Sequence, residues 1–140
     1  MADLPHRIEI VPWGFWKSVT GLNGRSQASS NLGGGSLFLT ANPNSVTWEV
    51  LLDAGTWALD VIYGAGTNRG IAAVTLGGTS IGSIDMYAGG AAVNTVSTIT
   101  GITVAAAGWY NLTLDVTTKN GSSSAYQAAY QFITLRRTGA

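Results

Sequence analysis

From Val46 onward, large apolar residues alternate with polar or small ones in short runs punctuated by glycine and asparagine. VTWEVLL (46–52) reads as a strand, and Asp53-Ala54-Gly55 turns the chain. TWALDVIY (56–63) then places Trp57, Leu59, Val61 and Tyr63 on one face, because successive strand residues point to opposite sides. IAAVTL (71–76) and TSIGSIDMY (79–87) flank Gly77-Gly78 as a tight hairpin. VNTVSTITGITV (93–104) is one long strand with Gly101 as a bulge. WYNLTLDVT (109–117) alternates again, with Tyr110, Leu112, Leu114 and Val116 inward, and AYQAAYQFITLRR (125–137) closes the series. No stretch carries a 3.6-residue period. Six to eight short strands separated by turns require two antiparallel sheets that bury one face against each other, so the predicted fold is all-β, a jelly-roll sandwich with an N-terminal extension.

The first 45 residues behave differently. PHRIEIVPWGFW is rich in aromatic residues, and GLNGRSQASSNLGGGS has too few large side chains to make a packed element. One reading divides the chain into an arm and Gly/Ser-rich linker (1–36) and a sandwich (37–140), with Trp13, Phe15 and Trp16 docking on a partner. The other makes the same residues the sandwich's own first strand and a long loop.

Composition sharpens this picture. Seven basic and seven acidic residues cancel and do not cluster, which leaves no electrostatic footprint for nucleic acid or an anionic membrane. No segment is apolar for long enough to span a membrane as a helix, and MADLPHRIEI lacks the apolar run of a signal peptide; the expectation is a soluble protein made in the cytoplasm. With no cysteine, neither a disulfide nor a thiolate metal site holds the fold. Charged residues make up 10% of the chain, against about 25% in an ordinary domain. A surface so poor in charge favours association and predicts a homo-oligomer; the alternative is a monomer whose exterior is Ser, Thr, Asn and Gly.

Chemistry is scarce. The single histidine, His6, stands beside Pro5 at the chain's start, and nothing flanking it suggests a Ser-His-Asp arrangement. The carboxylates are scattered: Glu49 and Asp60 interrupt strands on the solvent face, and Asp53 belongs to a turn. No calcium loop or nucleotide fingerprint occurs, so neither catalysis nor a cofactor or metal is expected. Antiparallel pairing across Gly77-Gly78 brings Arg69 and Asp85 near each other, which predicts a structural clamp. Five Trp and five Tyr offer rings on which a sugar's apolar face stacks, the candidates being Trp48, Tyr87, Trp109 and Tyr126.

GTWALDVIY, NRGIAAVTLGGTSIGSIDMY and AAGWYNLTL, with Lys119-Asn120 and the closing ITLRRT, resemble a family of jelly-roll domains found in phage structural proteins and related to carbohydrate-binding modules. The resemblance spans Gly55 to Arg137. It implies a non-enzymatic virion subunit, a homotrimeric capsid decoration or a fibre or tail component, whose partners are itself and other virion proteins. The alternative is a module that binds carbohydrate or a host-surface glycan.

Overall fold

The computed structural model describes residues 6–26 and 35–140. Among them are eleven strands and no helix: β1 (Arg7–Ile10), β2 (Ser18–Thr20), β3 (Leu22–Ser26), β4 (Ser36–Leu39), β5 (Asn44–Leu52), β6 (Gly55–Ala65), β7 (Ile71–Leu76), β8 (Thr79–Asp85), β9 (Ala92–Val104), β10 (Gly108–Thr118) and β11 (Ala128–Gly139). They form two antiparallel sheets, a six-stranded one in the order β3-β4-β11-β6-β9 with β1 also on β11, and a five-stranded one in the order β2-β5-β10-β7-β8. The two-sheet sandwich that the alternation predicts is the fold.

Alternation decides what is buried. Trp57, Leu59, Val61 and Tyr63 of β6 all face the core, as do Leu112, Leu114 and Val116 of β10. The Trp48 and Tyr130 rings meet edge to face between the sheets, centroids 6.4 Å apart at 81°. The bulge predicted at Gly101 is present: the β6–β9 register slips between Trp57/Ile102 and Leu59/Ile99, and Gly101 takes φ 68, a conformation that glycine adopts without a Cβ penalty.

The described part of the N-terminal stretch belongs to the sandwich and is not a separate arm. β1 pairs with β11 from Arg7↔Arg136 to Ile10↔Ile133, β2 with β5, and β3 with β4. The reason is edge coverage: β4 occupies one side of β11 only over Ala128–Tyr130, and β1 fills the rest of that side. Within the crossover from β1 to β2, Trp13 and Trp16 pack against the chain's own core. Residues 1–5 and 27–34, which include half of the predicted Gly/Ser linker, lie outside the described residues.

The predicted clamp does not form. Register places Ile71, not Arg69, opposite Asp85. The Arg69 guanidinium instead turns to the other sheet, where Nε donates to the Gly64 carbonyl at 2.7 Å and Nη1 to Asn68 Oδ1 at 2.8 Å and Gln127 Oε1 at 3.2 Å. It lies over the Phe38 ring, 5.6 Å from its centroid, and burial lowers its pKa. Asp85 accepts from the Tyr87 amide and from Asn120 Nδ2. Arg69 and Asp85 therefore each tie down the loops at one end of the sandwich, through different partners.

Candidate functional site

Antiparallel β10 and β5 are in register from Gly108↔Leu52 to Val116↔Asn44. Even-numbered residues on both strands face the core, so the odd ones line the outer face of the five-stranded sheet. They pair as Trp109↔Leu51, Asn111↔Glu49, Thr113↔Thr47 and Asp115↔Ser45. Trp109 is 65% exposed, a large apolar area left in water on a regular strand.

The groups next to this ring are polar and fixed. Lys17, just before β2, reaches across β5 to place Nζ 3.2 Å from Glu49 Oε2 and 3.1 Å from Asn111 Oδ1. Its backbone amide is anchored on the Thr47 carbonyl at 2.7 Å. Beyond them the register aligns Ser18, Thr47, Thr113, Thr75 and Ser80 across all five strands, with the Thr47 and Thr113 hydroxyls 2.8 Å apart. An exposed indole beside a carboxylate, an amide and an ammonium held in one row, and then a hydroxyl row, suits a ligand with an apolar face and many hydroxyls.

Of the four predicted stacking residues, the structure places only Trp109 this way. Trp48 is 2% exposed and cannot serve as an open platform, because its even position on β5 turns it into the core. Tyr87 and Tyr126 are half-buried among the loops at the opposite end of β10; Lys119 Nζ lies 5.8 Å from the centroid of the Tyr126 ring. Of the three arm residues, Phe15 alone is free of the core and is fully exposed. Lys17, Glu49 and Asn111 were not singled out from sequence as binding residues. Asn111 was legible as Trp109's same-face neighbour at i+2, but Glu49 and Lys17 join it only through strand register.

No protein-family model and no curated protein matches this sequence. Solved structures do. A Paenibacillus xanthan lyase superposes with a TM-score of 0.75 at 24% identity over 88% of this chain, which corresponds to 12% of the lyase. The CBM36-1 domain of a multidomain xylanase from the hindgut metagenome of Trinervitermes trinervoides gives 0.68 at 18% identity, covering 96% of this chain and 99% of that domain. A carbohydrate-binding module CBM36 in complex with calcium and xylotriose gives 0.61 at 20% identity, covering 91% and 98%. The chain has the sandwich fold of carbohydrate-binding modules. Among its described residues no three His, Asp or Glu side chains come together as a metal-holding group.

Proposed function

We propose that this chain is a non-catalytic carbohydrate-binding module that takes a glycan on the outer face of its five-stranded sheet. A pyranose stacks on Trp109, and Glu49, Asn111 and Lys17 hydrogen-bond its hydroxyls. The single observation that carries the reading is Trp109, 65% exposed beside that fixed polar row. Covering roughly 100 Å² of the ring's apolar face contributes about 2.5 kcal/mol, a large part of a millimolar to micromolar affinity. The match to isolated carbohydrate-binding modules over almost their full length supports it.

The charge-poor composition that points to a homo-oligomer is also met by a monomer, whose outer face here is clothed in hydroxyls and amides (Ser18, Thr20, Ser45, Thr47, Asn111, Thr113). None of the three similar structures is a virion protein.

Affinity electrophoresis against xylan, mannan, mixed-linkage glucan and xanthan, run with wild type and Trp109→Ala, tests the reading. At least one polysaccharide should retard the wild type and not the variant. Equal mobility of the two proteins in every gel sinks it.

A further inference from the structure

We infer that the glycan site does not end at Trp109 but continues across β5 into a second subsite built around Phe15; this rests on the carbohydrate-binding reading. β2 covers β5 only from Ser45 to Thr47, so no strand pairs with that side of β5 from Trp48 to Leu52. In place of a strand, the β1–β2 crossover passes there and encloses a cleft of about 320 Å³ lined by Ile8, Ile10, Phe15, Trp48, Glu49 and Val50. A strand edge gives access to side chains from both faces, which is why inward Trp48 and outward Glu49 line the same cleft.

Three side chains shape this cleft. Phe15 is 100% exposed and held at φ 58, a region that bulky residues rarely occupy and that costs free energy the fold recovers nowhere in contacts of that ring. Trp48 forms part of the cleft's inner wall, with its indole otherwise buried in the core. Glu49 serves both places: its carboxylate holds Lys17 in the row beside Trp109, and the same residue lines the cleft. An exposed ring at Phe15 on which a sugar stacks and a carboxylate at Glu49 that accepts from its hydroxyls are groups that hold a sugar, and the cleft has them one to two strand spacings, about 5–10 Å, from β10. An occupant that spans both platforms is longer than one pyranose ring and lies across the strands, not along them.

The experiment is isothermal titration of the full chain with oligosaccharides of one to six units from whichever polysaccharide the wild type binds, using wild type, Trp109→Ala, Phe15→Ala and Phe15→Trp. Wild-type affinity should rise about tenfold from the shortest ligand that binds to the longer ones. Phe15→Ala should abolish that rise while leaving the shortest ligand's affinity within twofold, and Phe15→Trp should restore it. Trp109→Ala should weaken every length. If Phe15→Ala keeps the full length dependence, the second subsite is overturned while a loss in Trp109→Ala leaves the binding reading standing. If Phe15→Ala leaves all sugar affinities unchanged but halves the native mass, Phe15 is a self-association contact and the subsite is likewise overturned. Absence of any wild-type binding removes both.

Discussion

Trp109 of β10 lies directly opposite Leu51 of β5 on the outer face of the five-stranded sheet, and its indole remains 65% exposed. That relationship separates function from stability. A ring with so little buried area contributes little to folding, so Trp109→Ala should change unfolding free energy by no more than about 0.5 kcal/mol while weakening glycan binding by roughly thirtyfold. Chemical denaturation alongside titration checks both halves. A large loss of stability would mean the ring is part of the core's support and not a platform.

Asp60, on the outer face of the six-stranded sheet, makes stability pH-dependent. Burial pushes its carboxyl up, but hydrogen bonds from Thr98, Arg136 and Thr134 and the Arg136 charge outweigh that and hold it below its ordinary 3.8. A carboxyl lowered on folding contributes stability that is present above the unfolded-state value and is lost as pH falls through the folded one. Asp60→Asn should therefore lower stability near neutrality by up to about 1 kcal/mol and flatten the decline below about pH 4. Urea midpoints from pH 2 to pH 7 measure it, and parallel curves for the two proteins would refute the assignment.

Gly70 is fixed by space. A Cβ there would run into Val116 Cγ1, with the Thr118 and Tyr126 carbonyls at 3.2 Å, so Gly70→Ala should cost roughly 1–3 kcal/mol by overpacking. Gly89 has nothing within 4 Å of the same atom, and Gly89→Ala should be near neutral. The comparison is a pair of thermal melts.

Gln131 is fully buried and clasps Asn94: Asn94 N donates to its Oε1 at 2.7 Å, and its Nε2 donates to Asn94 Oδ1 at 2.8 Å. Asn94 sits at φ 57, so the pair pins the entry to β9. Gln131→Leu should cost about 1–2 kcal/mol, because it removes both hydrogen bonds to the half-buried Asn94. A double variant with Asn94→Ala should lose less than the sum of the single losses in a denaturation cycle.

The sequence by itself determined the sheet faces. Period-two alternation placed Trp57, Leu59, Val61 and Tyr63 inside, and Leu112, Leu114 and Val116 with them, because a strand has two sides and only one is dry. It also marked the Gly77-Gly78 hairpin and the Gly101 bulge, where backbone conformation demands a residue without a Cβ. What it left open were relations between strands distant in the chain. Whether Arg69 meets Asp85 depends on a register offset of two residues. The Lys17–Glu49–Asn111 row joins residues up to 94 positions apart. Short-range pattern decides burial along one strand; only pairing in three dimensions decides which polar side chains share a face, and the site is made of that second kind of information.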